Sequence, residues 1–283
     1  MKFIKIKSYA KINISLGVLG KLKSKLHKIE SLIAFLNFYD EIFIKKIKNK
    51  KHKVVFTGKF SKGISQSNTI VKLLRILDNK KILKKQKYFI KINKKIPQKS
   101  GLGGGSMNAA SIFKYLLNKQ KINLTQTEIL QICSKIGSDV AIGMQNKTSI
   151  LYSNGKIKSL NNKNLKFYTL SVRPNFGCST KSIYRKVKNF SRPIFKKNNK
   201  LNFNNKFLSN IKNDLEIPAF HQYPALKKIK IFLEKVDKVL FVRMTGSGST
   251  IVGYFNSKKT ALNAKKILKK NYKSYLCILS KTI

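Results

Sequence analysis

The stretch Pro97-Gln-Lys-Ser-Gly101-Leu-Gly-Gly-Gly-Ser106-Met-Asn-Ala-Ala110 decides the fold, because it places four glycines within five residues. So many glycines make an entropically costly connection when two residues would suffice for a turn. Alternating apolar residues precede the stretch at 88–92, and apolar residues at helical spacing follow it. The order strand, glycine loop, helix predicts an anion site at 101–106, where backbone N–H groups and the positive end of a helix dipole converge.

Two common phosphate-binding motifs do not describe this loop. A Walker A loop needs a Gly-Lys-Ser/Thr sequence that is absent here, and Ser106 stands where the dinucleotide-binding fingerprint has its third glycine. A flexible turn is the alternative, but the glycine content favours phosphate binding. Ser106 either caps the following helix or offers its hydroxyl to Mg²⁺, and the two roles are compatible.

Apolar periodicity predicts an α+β chain of two domains. We expect the first over residues 1–153 and the second over 154–283, after an Asn154-Gly155 turn. A capping box at Thr125 and Glu128 starts one helix, which Gly137 ends, and a Lys/Asn-rich stretch at 189–206 is expected to be a mobile surface insertion. Further strands are predicted at 2–7, 11–16, 41–47, 53–56, 239–242 and 251–255, and a further helix from Ser67 or Asn68.

The composition is strongly basic but does not by itself indicate a nucleic-acid partner. The net charge is +51, from 61 Lys+Arg against 10 Asp+Glu, and only five of the 61 cations are arginine. A nucleic-acid surface is expected to concentrate its cations on one face and to use arginine, whereas these lysines lie in every segment. We therefore predict no specific nucleic-acid partner, and a basic nucleic-acid-binding protein is the alternative from a different class.

Cysteine spacing and the lengths of the apolar runs disfavour a disulfide-bonded, zinc-binding, secreted or membrane-spanning protein. Cys133, Cys178 and Cys277 are far apart, with neither a CxxC pair nor a Cys/His cluster, so disulfides and a zinc site are not expected. No apolar run is long enough for a secretory signal or a membrane span. We expect a globular cytoplasmic protein that is a monomer or a weak homodimer.

Few side chains are available for acid–base chemistry, because the chain has only ten carboxylates. Asp139 follows the predicted end of a helix, where a functional carboxylate and a cap for the next short helix are equally good interpretations. Lys11 interrupts a small and apolar stretch, so it either faces a site or lies at a strand edge. His27 and Asn13 are able to bind a polar ligand, although isolated residues of these types are more often structural.

Three motifs together resemble those of the galactokinase, homoserine kinase, mevalonate kinase and phosphomevalonate kinase (GHMP) superfamily. They are Tyr9-Ala-Lys-Ile-Asn13, the stretch 97–110, and Met244-Thr-Gly-Ser-Gly-Ser-Thr250. Residues 26–27, 137–140 and 213–216 extend the resemblance to the 4-diphosphocytidyl-2-C-methyl-D-erythritol kinases, over residues 8–255. The resemblance implies the two-domain α+β kinase fold of that superfamily, with the active site in the cleft between the domains.

The same resemblance implies an ATP-dependent small-molecule kinase. Such an enzyme transfers the γ-phosphate of ATP to the 2-hydroxyl of 4-diphosphocytidyl-2-C-methyl-D-erythritol, in the non-mevalonate route to isoprenoid precursors. Asp139 is then the general base, Lys11 orients it, and Ser106 is a tentative ligand of Mg²⁺. ATP binding is implied for Asn68, near the adenine, and for Pro97, Gln98, Lys99, Ser100, Gly101, Leu102, Gly103, Gly104, Gly105, Ser106 and Met107. Substrate binding is implied for Asn13, His27, Thr180, Tyr184, Gly246 and Gly248.

Two features depart from the family pattern. Leu26 stands before His27 where the family usually has tyrosine, so one of the two aromatic rings expected around the cytosine is missing, and we expect weaker cytidine affinity. Lys99 and Ser100 occupy positions that are often small, so the approach to the glycine loop differs from the family's. A related kinase that acts on mevalonate or homoserine is the alternative within the class.

Overall fold

The computed structural model of the chain describes residues 2–22, 26–119, 121–195 and 201–283. Its strands are β1 (Ile4–Lys21), β2 (His27–Ile47), β3 (Lys53–Thr57), β4 (Lys87–Asn93), β5 (Ser149–Leu151), β6 (Ile157–Ser159), β7 (Tyr168–Arg173), β8 (Phe241–Met244), β9 (Ile251–Phe255) and β10 (Leu276–Lys281). Its helices are α1 (Thr69–Asn79), α2 (Gly104–Lys119), α3 (Gln126–Ile136), α4 (Val140–Gly143), α5 (Thr180–Arg185), α6 (Asn205–Asn210), α7 (Glu216–Gln222), α8 (Pro224–Glu234) and α9 (Lys258–Asn271). None of the helices in these residues is both long enough and apolar enough to cross a bilayer.

The chain forms two compact units that are not contiguous in sequence. Unit 1 contains residues 1–10, 38–98 and 103–146, and unit 2 contains residues 11–37, 99–102 and 147–283. Both units contain helices and strands, as an α+β chain requires. The predicted division at residue 153 concerns the functional domains and stays a prediction.

Unit 1 is a sheet with helices on one face. Strand β4 pairs in parallel with β3 and antiparallel with the second half of β2, and β1 also pairs with β2. Alternate strand residues such as Ile42, Ile44 and Ile90 are buried against apolar side chains of the helices, because successive strand residues point to opposite faces. Helix α1 buries Ile70, Leu73, Leu74 and Leu77, which is the face that the sequence predicts.

Unit 2 contains two groups of strands. The first half of β2 pairs with β5, which pairs with β6. A separate antiparallel sheet has the order β10-β7-β9-β8, and its apolar face packs on helices that include α8 and α9. This sheet places the turn between β8 and β9, residues 245–250, at the end of two buried strands.

Three sequence-based expectations differ from the structure. The strands predicted at 2–7 and 11–16 are continuous and form one strand, β1. Ser8 and Ala10, which lie between the two predicted strands, are buried parts of it. The strand predicted at 239–242 begins two residues later, at Phe241. The stretch at 189–206, expected to be a mobile surface insertion, is mostly exposed in its described parts, but it is anchored there, because Phe195 is buried and the Ser191 N–H donates to the Val18 carbonyl (2.9 Å). Residues 196–200 lie outside the described residues.

Candidate active site

The glycine-rich stretch enters its helix earlier than the sequence suggests. Helix α2 begins at Gly104, and the Met107 N–H already donates to the Gly103 carbonyl (2.9 Å). A side chain at Gly104 would place its Cβ 2.9 Å from Ile96 Cγ2 and 3.3 Å from Lys94 Nζ, so only glycine fits this approach. The first N–H groups of such a helix have no intrahelical partner and face any anion at its N-terminus.

A buried aspartate holds the chain just before the glycine loop. Asp40 is fully buried, and its carboxylate accepts hydrogen bonds from the backbone N–H groups of Lys95 (2.7 Å) and Ile96 (2.8 Å). The ammonium of Lys94, itself buried, forms an ion pair with the same carboxylate. Since Ile96 and Lys94 pack against the start of α2, Asp40 fixes the position of that start. The sequence gives no motif that singles out Asp40.

Asn68 begins helix α1, next to the start of α2. Its side-chain oxygen accepts hydrogen bonds from the N–H groups of Ile70 (3.0 Å) and Val71 (3.1 Å), so it is the cap predicted at this position. The neighbouring Thr69 hydroxyl donates to the Gly105 carbonyl (2.8 Å), which ties the two helix starts together. A cavity of about 650 Å³ lies between strand β3 and helix α1, and Asn68 lines one part of it.

Asp139 is brought near the start of α2 by helix α4. A Cβ on Gly143 would lie 2.6 Å from Ala110 Cβ, so the two helices approach each other closely because residue 143 is glycine. A Cβ on Gly137 would lie 3.8 Å from the Ser106 hydroxyl oxygen. Asp139 stands at the N-cap position immediately before α4, but its carboxylate makes no capping hydrogen bond to that helix. The capping interpretation of Asp139 therefore loses its support.

In unit 2 the second glycine-containing loop, residues 245–250, packs on Gly101. A side chain at Gly101 would place its Cβ 2.0 Å from the Thr245 carbonyl oxygen, and Gly101 also has a positive φ of 78°. The Thr245 hydroxyl donates to the Gly101 carbonyl (3.1 Å). Gly246 and Gly248 have φ values of 55° and 83°, so this turn also requires glycine. The contact of Gly101 with the loop explains the glycine at the beginning of the glycine-rich stretch.

Lys11 and Asn13 lie beside this loop in unit 2. Lys11 is only 4% exposed, and its ammonium donates to the Asn13 side-chain oxygen (2.7 Å). The Asn13 N–H donates to the Thr245 hydroxyl (3.0 Å), and its side-chain amide donates to the Ser31 hydroxyl (2.8 Å). The Lys11 N–H donates to the Leu102 carbonyl (3.0 Å). A buried lysine held in this way is a functional candidate, and its burial favours the interpretation that it faces a site, which stays a prediction.

His27 and Tyr184 face each other in the same unit. Their ring centres are 4.9 Å apart, with the planes tilted by 38°. The Nε2 atom of His27 is buried and has no hydrogen-bond partner among the described residues. Burial, with the charge of Lys21 as a second cause, lowers the pKa of His27 below its ordinary value. A neutral imidazole with an unused nitrogen suits hydrogen bonding to a ligand.

The remaining predicted residues flank these groups. The Thr180 hydroxyl is 2.8 Å from the Ser247 hydroxyl, and Leu26 is 65% exposed. The Gln98 amide donates to the carbonyls of Phe60 (3.1 Å) and Lys62 (2.9 Å). Lys99 is exposed with a positive φ of 49°. Pro97, Ser100, Leu102 and Met107 are buried.

Sequence reasoning missed three buried polar residues in these regions. Asn213 donates from its side-chain amide to the carbonyls of Met244 (2.7 Å) and Gly246 (2.8 Å), which fixes the loop at 245–250. Thr245 links that loop to Asn13. The side-chain oxygen of Asn108, on α2, is buried and has no hydrogen-bond partner among the described residues. All three lie inside the quoted motifs, so membership of a motif was the available signal.

The comparisons with known proteins agree with one another. The GHMP kinases N terminal domain matches residues 68–154, and the GHMP kinases C terminal domain matches residues 192–274. A 4-diphosphocytidyl-2-C-methyl-D-erythritol kinase of Pelagibacter ubique (strain HTCC1062) is 52% identical over 100% of both chains. A protein of the same name from Thermoanaerobacter pseudethanolicus is 33% identical, over 100% of this chain and 97% of that one.

Solved structures share the fold. A 4-(cytidine 5'-diphospho)-2C-methyl-D-erythritol kinase aligns with a TM-score of 0.77 at 19% identity, over 99% of both chains. A homoserine kinase from Cytophaga hutchinsonii aligns with a TM-score of 0.71 at 15% identity, over 100% of this chain and 95% of that one. Together with the sequence matches, these alignments confirm the predicted two-domain α+β kinase fold. The chain belongs to the GHMP kinase family.

Proposed function

We infer that this chain is an ATP-dependent kinase that phosphorylates the 2-hydroxyl of 4-diphosphocytidyl-2-C-methyl-D-erythritol, called the cytidylyl substrate below. This reaction belongs to the non-mevalonate route to isoprenoid precursors. The observation that carries the inference is the identity of 52% over the full length of a kinase named for this substrate. Its location in the cytoplasm and its state as a monomer or weak homodimer stay part of the proposal.

We propose that the phosphates of ATP bind at residues 101–106, with Asn68 and residues 97–107 forming the rest of the nucleotide site. Support comes from the start of α2 at Gly104, where backbone N–H groups and the helix dipole attract an anion. The buried Asp40 holds this helix start in place, so the N–H groups are organised before ATP binds. Electrostatic stabilisation of this preorganised kind supplies much of the catalysis in phosphoryl transfer.

Mg²⁺ fits the side chains near this helix start. Ser106 offers a hydroxyl oxygen close to Gly137, two residues before the carboxylate of Asp139, and oxygen atoms are the ligands that Mg²⁺ prefers. Mg²⁺ usually keeps several waters and is bound through one or two side chains together with substrate phosphates. When bound, the ion supplies positive charge that neutralises the phosphates.

We propose that Asp139 is the general base and that Lys11 is the second catalytic residue. The carboxylate accepts the proton of the substrate 2-hydroxyl, whose oxygen forms a bond to the γ-phosphorus while the bond from that phosphorus to the β,γ-bridging oxygen breaks. ADP leaves with the electrons of the broken bond. Support comes from Asp139, whose carboxylate does not cap α4, and from the burial of Lys11.

We propose that the cytidine end of the substrate binds at His27 and Tyr184. The buried, unpartnered Nε2 atom of His27 is available to the edge of the base, and the ring of Tyr184 to its face. Asn13, Thr180, Gly246 and Gly248 complete the proposed substrate site in unit 2. Leu26 gives apolar contact but no second aromatic face.

The test is ADP release by the purified full-length protein with Mg-ATP and three separate acceptors: the cytidylyl substrate, mevalonate and homoserine. Turnover on the first acceptor alone is the expected result. Turnover on mevalonate or homoserine without turnover on the cytidylyl substrate would replace the proposed activity by that of a related kinase. An Asp139→Asn variant measures any contaminating ATPase.

A further inference from the structure

The outer face of the unit 1 sheet, opposite its helices, carries rings and lysines in a regular array. Strand alternation places them there, since Ile42, Ile44 and Ile90 point the other way into the core. We call this surface the aromatic–lysine face. Its rings are Phe3, Tyr9, Tyr39, Phe43 and Phe89, and its lysines are Lys5, Lys7, Lys45, Lys53, Lys91 and Lys95.

Strand register sets the spacing of the rings. Lys45 of β2 lies opposite Phe89 of β4, and Phe43 lies opposite Lys91. Phe43 and Phe89 are therefore diagonal neighbours, about 7–8 Å apart. Phe89 and Lys53 are also directly paired, across β3 and β4. In this part of the face, each of the two rings therefore lies directly opposite a lysine of the neighbouring strand.

Lysine ammonium groups lie over several of these rings, which are half-buried or exposed. The Lys45 ammonium is 4.7 Å from the ring centre of Phe3, and that of Lys53 is 5.1 Å from the ring centre of Phe89. Phe3 is 38% exposed, and Lys53 is exposed. Cation–π contacts at exposed sites are weak, and the lysine stem is flexible. A ligand can therefore take both the ring face and the ammonium.

The charge of the face selects an anionic partner. The face carries six lysines and one acidic side chain among its described residues, Glu41, which already pairs with Lys5 and with Lys95 (2.9 Å). Hydrogen bonds from these two lysines lower the pKa of Glu41 to about 2, so it stays charged and paired. A second copy of the same face would bring lysines against lysines, which disfavours self-association.

We propose that the aromatic–lysine face binds single-stranded nucleic acid, with lysines at the phosphates and rings stacked on splayed bases. Sheet faces with exposed rings are a recurring platform for such strands. Arginine is absent from this face, so bidentate reading of bases is absent too, and binding has no sequence preference. This agrees with the prediction of no specific nucleic-acid partner. Half-buried rings in a pleated sheet do not protrude enough to enter a bilayer, so a membrane suits the face less well.

The test is fluorescence anisotropy of an oligouridine of about 16 nucleotides, and of a duplex of equal length, with the full-length protein. The single strand is expected to bind more tightly than the duplex. A double variant, Phe43→Leu and Phe89→Leu, keeps apolar volume but removes two ring faces. We expect it to weaken single-strand binding about fivefold or more and to leave duplex binding unchanged.

A matched pair of charge variants distinguishes binding at the aromatic–lysine face from binding caused by the overall charge of the protein. Lys45→Gln, Lys53→Gln and Lys91→Gln together should make the slope of log K against log salt shallower by about 2, since each phosphate contact of a single strand contributes about 0.7. Removal of three exposed lysines on α9, at 259, 266 and 270, removes the same charge elsewhere and should leave the slope unchanged.

Three outcomes would overturn the proposal. They are equal affinity for duplex and single strand, the same slope change for both triple variants, or tighter binding to phosphatidylserine vesicles than to the oligonucleotide. The first two would assign the binding to diffuse charge, and the third would assign the face to a membrane surface. Kinase turnover and the thermal unfolding midpoint, which we expect to be retained, confirm that each variant is folded.

Discussion

Replacement of Gly101 by alanine tests whether the contact between Gly101 and the loop at 245–250 organises the nucleotide site. The new Cβ would lie 2.0 Å from the Thr245 carbonyl oxygen, whereas an ordinary contact is at least 3.4 Å, so the backbone must move by about 1.4 Å. The positive φ of 78° adds a conformational cost of about 1–2 kcal/mol. A shift of about 1 Å in a positioning element costs on the order of 100-fold in rate.

Gly155→Ala is the matched control. Gly155 has nearly the same backbone angle, with φ of 80°, but no atom lies within 4 Å of the position of its Cβ. It therefore carries the conformational cost without the steric clash. We expect Gly155→Ala to lower the free energy of unfolding by about 1–2 kcal/mol and to leave kcat/KM for ATP unchanged.

Steady-state kinetics and chemical denaturation of the two variants test whether the Gly101 contact positions the nucleotide site. Gly101→Ala should lose more stability than the control, and its kcat/KM for ATP should fall about 100-fold or more. If the two variants lose the same stability and both retain wild-type kcat/KM, then the contact does not position the nucleotide site and the reasoning is refuted.

Four further predictions concern single residues of the proposed site and its support. Asp139→Asn should lower kcat by about 10²–10⁴ and leave ATP affinity, measured by calorimetry, unchanged; near-normal turnover would contradict its role as base. Leu26→Tyr should lower KM for the cytidylyl substrate about fivefold or more, whereas Leu26→Ala should not. Asp40→Asn should lower the free energy of unfolding by about 3–5 kcal/mol and raise KM for ATP, because the buried ammonium of Lys94 loses its partner. Glu41→Gln removes surface ion pairs one residue later and should lower the free energy of unfolding much less. Equal losses of stability in the two variants would contradict this reasoning. The pKa of His27 is lowered, so its neutral form persists below the ordinary value of 6.5. The KM for the cytidylyl substrate should therefore stay constant from neutral pH to about 6.5 and rise only at lower pH. A rise centred on about 6.5 would contradict the lowered pKa of His27.

Local patterns predicted the local elements of this fold. Helix α1 buries the four apolar residues that its spacing indicates, and the capping box at Thr125 and Glu128 forms, with the Thr125 N–H donating to the Glu128 carboxylate (2.8 Å). Both features depend on residues within one or two turns of each other, so the sequence contains the whole signal. The strand pattern at 251–255 also matches β9.

Long-range contacts could not be predicted from spacing. Asp40 and Ile96 are 56 residues apart, and Asn13 and Thr245 are 232 residues apart, yet each pair is joined by a hydrogen bond. No periodicity within a short window encodes such a contact. The early start of α2 has a similar cause, because the glycines at 104 and 105 lie in a helical turn whose conformation depends on packing against Ile96.

The candidate site was predicted in part. The quoted motifs led to Lys11, Asn13, Gly101 and Gly246, which lie together in unit 2. They also led to Ser106 and Asp139 in unit 1, where the Ser106 hydroxyl lies near Gly137, two residues before Asp139. The supporting residue Asp40 carries no chemistry that marks it in a sequence, since its role depends on buried backbone groups that only the fold supplies. Asn213 lies in a quoted motif, but its hydrogen bonds to the loop at 245–250 are visible only in the fold. The catalytic roles of Lys11 and Asp139 and the domain boundary near residue 153 stay proposals.

The most direct test of the central claim is the identity of the product formed from the cytidylyl substrate and Mg-ATP. Phosphorus NMR of the purified product, with proton coupling and carbon assignment of the methylerythritol unit, locates the added phosphate. We predict one new phosphate monoester, on the 2-hydroxyl, formed in equal amount with ADP. A phosphate at another hydroxyl, or ADP released without a phosphorylated product, would contradict the account.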